Sequence, residues 1–278
     1  MRVQLVADAA EFLRRSAALR AREPVLTNVI GTVVQGVADG RRYDQSWFWL
    51  VLDDDGEPVG CASRTTPWHL LLGPMPPAAA AALAGAVAEA DPQVPGVVGL
   101  AEVAEAFADA LPDKRLDVTM REVVRVLDEL VEPDAVPGDV EVAGVHELPT
   151  LMEWHEQFAV DAGLPLHDVE QSIAARLGVG AMLWWTVDGV RVSMAGHTTP
   201  VPVPGGAVGR IGPVYTPSEH RRHGYAAALT AAVVRRLRPS CSVVMLFADA
   251  ANATSNGVYE RLGFRATGEL VEAAIVAA

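Results

Sequence analysis

RRHGYA at Arg221–Ala226, the apolar run behind it to Pro239, and NATSNGVYERLGF at Asn252–Phe264 decide how this chain is read. A turn that holds an anion needs backbone N–H groups converging on the charge and a glycine where a Cβ would hold the anion off. Arg-x-x-Gly-x-Ala supplies both. The turn opens into a helix read over Gly224–Arg238, with Leu229, Val233 and Leu237 at four-residue spacing on one face and Pro239 closing it. The N-terminus of that helix adds its partial positive charge to the anion site.

The neighbours give the turn a setting. Upstream, GRIGPVYTP reads as a strand over Gly209–Tyr215 that delivers the chain to the turn. Downstream, CSVVMLFAD reads as a buried strand over Cys241–Phe247, continuously apolar as a central parallel strand is. A second helix follows over Asn252–Leu262, with Gly263 where a C-terminal cap belongs. At 100° per residue, Ser255 and Tyr259 fall near the same face as Asn252.

The segment from about Asp139 onward resembles the GNAT superfamily of acyl-CoA N-acyltransferases. The family's phosphate signature, Gln/Arg-x-x-Gly-x-Gly/Ala, matches Arg221, Gly224 and Ala226; its second signature matches Asn252, Tyr259, Gly263 and Phe264. The resemblance implies acetyl-CoA as co-substrate and no metal. It implies that the backbone from Arg222 through His223, Gly224 and Tyr225 to Ala226 holds the pyrophosphate, and that Val214 and Tyr215 pair with the pantetheine amide in β fashion. Asn252, with Ser255 beside it, would contact the cofactor arm, and Tyr259 would be the general acid. A phenol near pKa ~10 is protonated at neutral pH and can hand a proton to a thiolate whose conjugate acid sits near ~8.5. The side chains of Arg222 and His223 either reach the phosphates or face solvent.

The first half repeats the second. ASRTTP at Ala62–Pro67 recurs as AGHTTP at Ala195–Pro200, each after a tryptophan-bearing strand and an Asp-Gly turn, and a Gly-Pro follows each. The expected fold is α/β with a mixed central sheet flanked by helices, built as two tandem GNAT-like domains: a degenerate copy over 1–131 and a cofactor-binding copy over 139–278. The proline- and acid-rich stretch VEPDAVPGD at Val131–Asp139 separates them. After its Gly-Pro the first copy runs from Met75 into an alanine-rich helix over Ala78–Ala90, with no phosphate turn. Its later helix, Leu100–Leu111, has neither Asn nor Tyr. Its work is then structural, covering the active copy and helping to form the acceptor cleft.

A formal net charge of −13 argues against a nucleic-acid partner, because phosphate contacts dominate that affinity. It suits a cationic small-molecule amine. The start of the chain, MRVQLVADAAEF, has no basic stretch before an apolar core, and no run is long enough to span a membrane, so a cytoplasmic enzyme, monomeric or homodimeric, is expected. The two cysteines, Cys61 and Cys241, are too few for a disulfide framework or zinc site. An aliphatic ammonium needs a base, and His197 and Glu219 are the candidates, with Glu153, Glu156 and His220 behind them. Trp154, Phe158, Trp184 and Trp185 read either as acceptor pocket or as core. Two other functions fit the pattern less well: an acyl-CoA-binding protein without turnover, and an aminoacyl-tRNA-dependent transferase.

Overall fold

A computed structural model describes residues 1–164 and 169–278. The chain divides into two compact units: Met1–Val124 with Asp249–Ala251 and Gly268–Ala278, and Arg125–Ala248 with Asn252–Thr267.

The first unit runs β1 (Arg2–Val6), α1 (Ala9–Arg15), α2 (Ala17–Arg22), α3 (Asn28–Ala38), β2 (Ser46–Leu52), β3 (Pro58–Thr65), β4 (Leu70–Leu72), α4 (Pro77–Ala90), β5 (Gly96–Gly99), α5 (Ala101–Asp109) and β6 (Lys114–Leu127), whose last three residues belong to the second unit. β1 to β4 pair antiparallel in sequence order, and β4 with β5 is parallel. Side chains alternate across the strands. Phe48, Leu50 and Cys61 pack with Phe12, Ile30 and Val34 from α1 and α3, whereas Trp49, Val51 and Ala62 pack with Ala80, Leu83 and Val87 from α4 and Phe107 from α5. Ala9–Ala21 reads in sequence as a single helix, but it is interrupted at Ser16, whose hydroxyl donates to the Phe12 carbonyl at 2.7 Å and loosens the helix there.

The second unit continues with β7 (Asp139–Val142), α6 (Leu148–Ala162), α7 (Val169–Gly178), β8 (Met182–Val187), β9 (Val190–His197), β10 (Val201–Val203), β11 (Gly206–Tyr215), α8 (Tyr225–Leu237), β12 (Val243–Asp249), α9 (Ala253–Arg261) and β13 (Phe264–Ala277). Asp168–Leu177 reads in sequence as a helix, and its start at Asp168 lies outside the described residues. Strand order here is β7–β8–β9–β11–β12, with β10 on β11; β11 and β12 pair parallel, and β7 with β8, β8 with β9, β9 with β11 and β10 with β11 antiparallel. α8 buries Leu229, Val233, Val234 and Leu237 against Leu183, Ala195, Ile211, Val244 and Leu246. On the opposite face, Leu151 of α6 and Ile173 and Leu177 of α7 pack on Met182, Trp184, Met194 and Tyr215. Each such Leu or Val contributes roughly 1.5–3 kcal/mol by leaving water.

The contacts do not divide the chain where the sequence suggests. Residues Gly268–Ala278, expected in the second copy, cluster with the first unit, because Val271 to Ala274 pair antiparallel with Gly99 to Gly96 of β5. Arg125 to Leu130, expected in the first copy, cluster with the second.

Candidate functional site

β11 sets the site's geometry. It pairs with β12 from Val208↔Val243 to Ile211↔Leu246, and there the ladder ends. β11 continues to Tyr215, held on its other edge by Val214↔Ala195 and Tyr215↔Met194 of β9. Among the described residues, the edge of Val214 and Tyr215 that faces away from β9 has no strand partner. Between Ile211 and Val214 the register shifts. That shift reverses the alternation: Ile211 lies in the core under α8, yet Tyr215, four residues on, lies in the core under α6. The Tyr215 hydroxyl donates to Gln157 Oε1 at 3.3 Å. Burial, then the Asp161 carboxylate, pushes its pKa up.

After β11 a short 3₁₀ turn, Ser218–His220, leads to the phosphate motif. Arg222 has φ 65° and Gly224 φ 84°, so the chain doubles back twice before α8 begins. The first amides of α8 have no carbonyl behind them, and Arg221 to Gly224 are exposed. A Cβ on Gly224 would stand 2.8 Å from Val136 Cγ1. His223 stacks on Tyr225, ring centroids 5.4 Å apart. Arg221 turns the other way. Its Nη2 meets Asp161 Oδ2 at 2.5 Å, its Nε donates to the Thr216 carbonyl at 2.9 Å, and its guanidinium lies 5.9 Å from the Tyr215 ring centroid.

Asn252 caps α9, its Oδ1 accepting from the Ser255 amide at 3.0 Å. Tyr259, Val214 and Ala227 all pack on the α8-side core. The Tyr259 ring meets Phe264 edge-on at 6.0 Å. Behind it lies Arg125, 4 % exposed, donating to Asn256 Oδ1 at 2.9 Å and Glu260 Oε1 at 2.8 Å. Burial pushes the Tyr259 phenol up to about 12, with Arg125 pulling against it. The sequence reading passed over Arg125, Gln157 and Asp161. Only Arg125 left a signal, as an arginine between valines in an apolar strand segment.

A family model described as FR47-like protein matches residues 205–272, which spans β11, the turn, α8 and α9. Solved structures extend the likeness to the whole chain. A GCN5-related N-acetyltransferase from Sphaerobacter thermophilus superposes with TM-score 0.64 at 16 % identity, covering 98 % of this chain and 95 % of that one. A tandem GNAT protein from the clavulanic acid biosynthesis pathway gives 0.62 at 15 %, covering 99 % and 98 %. The chain carries the GNAT fold in tandem. A GNAT-family acetyltransferase from Colwellia psychrerythraea has the same fold, with TM-score 0.61 at 10 % identity over 99 % of this chain and 100 % of that one. No curated protein sequence matches the chain significantly.

The first GNAT unit lacks the features that define the site in the second. α4 begins at Pro77 behind Pro76, so two amides at the head of the helix have no hydrogen to offer. A Cβ on Gly99 would stand 2.9 Å from Leu72 Cβ, so β4 and β5 stay close past their last ladder pair at Leu71↔Val98.

The two candidate bases differ in exposure. His197, 7 % exposed, sits beside Ile211 with Nδ1 2.9 Å from the Thr198 carbonyl oxygen and Nε2 buried without a partner. Burial, then Arg236 and Arg176, lowers its pKa. Glu219 is fully exposed, and hydrogen bonds from its own backbone amide and the Ser218 hydroxyl lower its pKa. Trp184 is fully buried, with Trp154 edge-on at 5.0 Å, so these aromatics are core. Among the described residues no group of three His, Cys, Asp or Glu is placed to hold a metal ion, and no helix is long and apolar enough to cross a membrane.

Proposed function

We propose that the second GNAT unit is an N-acetyltransferase that moves the acetyl group of acetyl-CoA to a primary amine of a small molecule or an N-terminus. What carries the reading is the exposed head of α8 together with the end of β11 beyond its β12 ladder, with Val214, Ala227 and Tyr259 all packed on the α8-side core. Free amides of Arg222 to Ala226 suit a pyrophosphate, and the unpaired edge of Val214 and Tyr215 suits an amide-bearing pantetheine arm. In direct transfer the neutral amine bonds to the thioester carbon, a strand N–H holds the oxyanion, and the C–S bond breaks. Tyr259 offers its proton to the departing sulfur, and the attacking nitrogen loses one to a base reached through water. The first unit, whose α4 begins at Pro77 behind Pro76, serves as scaffold. A surplus of negative charge favours approach of a cationic acceptor.

Calorimetry with acetyl-CoA tests this at Gly224. Alanine there adopts a left-handed backbone, costing about 1–2 kcal/mol, and its methyl meets Val136. Wild type should bind, and Gly224→Ala should bind about 10- to 100-fold more weakly. No heat from the wild type removes the cofactor site, and with it the reading.

A further inference from the structure

The guanidinium of Arg221 belongs to the phosphate motif by sequence, yet it is spent on a carboxylate that has no evident reason to be where it is. Asp161 is the penultimate residue of α6, at the end of the helix where exposed carbonyls disfavour negative charge. The pair is half-exposed on both sides, 47 % for Arg221 and 49 % for Asp161, and pairs so exposed hold weakly. Three residues along the chain stands Gly224, where the amides of α8 begin. A pyrophosphate there carries more charge than one carboxylate and accepts stronger, charge-assisted hydrogen bonds.

We infer that Asp161 competes with the cofactor for Arg221: the guanidinium pairs with Asp161 in the free protein and passes to the pyrophosphate when acetyl-CoA binds. This rests on the acetyl-CoA reading of the turn. Asp161 is then a residue that weakens cofactor binding and speeds release of the product CoA. Thr216, whose carbonyl accepts from Arg221 Nε, fixes the near end of the side chain in both positions. No bond is made or broken; one charged contact replaces another.

Calorimetry on the full chain separates this from a structural latch. Asp161→Asn keeps the shape and removes the competitor, and should bind acetyl-CoA about 2- to 5-fold more tightly. Arg221→Gln should bind about tenfold more weakly, and adding Asp161→Asn to it should change nothing further. A latch that merely builds the turn would make both single variants bind more weakly. Unchanged or weaker binding by Asp161→Asn therefore overturns the exchange. Repeating the series with 3′-dephospho-CoA locates the contact: the same ratios place Arg221 on the pyrophosphate, and their loss places it on the 3′-phosphate and overturns the assignment. Absence of binding by the wild type is a different failure, since it removes the cofactor reading itself.

Discussion

Tyr259→Phe is expected to slow acetyl transfer about 10²-fold, with the acetyl-CoA dissociation constant unchanged. The lower end of the usual general-acid range of about 10²–10⁴ follows from the phenol's surroundings. Burial pushes it up to about 12 even with Arg125 nearby, whereas the leaving thiol sits near ~8.5. Full transfer of the proton to sulfur is uphill across that gap. The hydroxyl therefore acts as a hydrogen-bond donor to sulfur as its charge develops, an effect confined to the transition state that appears in kcat and not in binding. The phenol stays protonated across the working range, so kcat should show no alkaline fall from this residue below pH about 12. Steady-state rates with an amine found by screening check both points; a full rate in Tyr259→Phe removes the phenol from the mechanism.

The same shift carries a sign for stability. A folded-state pKa above the unfolded ~10 means that the folded form binds the proton more tightly. Its contribution is complete below pH ~10 and is lost as pH rises toward about 12. Wild type should lose stability over that window faster than Tyr259→Phe does, as alkaline unfolding curves would show.

Local chemistry made α8 and its turn legible. Four-residue apolar spacing, a glycine at the head and a proline beyond the end place Gly224–Arg238 within one residue of the observed Tyr225–Leu237. β8, Met182–Val187, is equally plain in the sequence, an apolar run of six with two tryptophans ahead of an Asp-Gly turn. β13 was not legible. FRATGELVEAAIVA has strand-forming residues, but its alternation is diluted by alanine, and its two parts belong to different units. A partner ~170 residues upstream in sequence cannot be read from local pattern, which is why the pairing of Val271–Ala274 with β5 is seen only in the structure.

The site divides the same way. Residues inside the two motifs land together because one turn and one helix carry them. Arg125, Gln157 and Asp161 reach those motifs from β6 and α6, where no spacing rule connects them. His197 shows what pattern leaves out: read as a histidine on a strand flanking the cleft, it is 7 % exposed and pairs in register with Ile211 of β11, a burial that no local spacing announces.

Removing one member of the Arg64–Asp91 pair is expected to cost the first unit about 3–5 kcal/mol. Arg64 is 5 % exposed and Asp91 7 %, with Nε and Oδ2 2.9 Å apart though not aligned as a hydrogen bond. Arg64 also donates to the Thr65 carbonyl at 3.2 Å and lies 5.8 Å from the Trp47 ring centroid. Burial lowers its pKa, with Asp91 opposing, so solvation lost is the larger effect on this arginine. Asp91 follows the last turn of α4, again where a carboxylate is disfavoured. Arg64→Met leaves that carboxylate with neither water nor a partner and should be worse than Asp91→Asn, which leaves Arg64 its carbonyl and its tryptophan. Replacing both, as Arg64→Met with Asp91→Leu, should recover most of the loss, because an apolar pair needs no desolvated charge. Urea unfolding followed by tryptophan fluorescence gives the cycle; a cost below about 1 kcal/mol for Arg64→Met would mean that the pair is solvated and contributes little. The tandem repeat supplies the contrast. At the position of Arg64 in the repeated Thr-Thr-Pro stretch the second unit has His197, and burial, with Arg236 and Arg176 adding to it, lowers the imidazole's pKa toward the neutral form. A neutral ring can be buried where a charge cannot. His197→Arg would bury a guanidinium close to charges of like sign, and should destabilise the second unit.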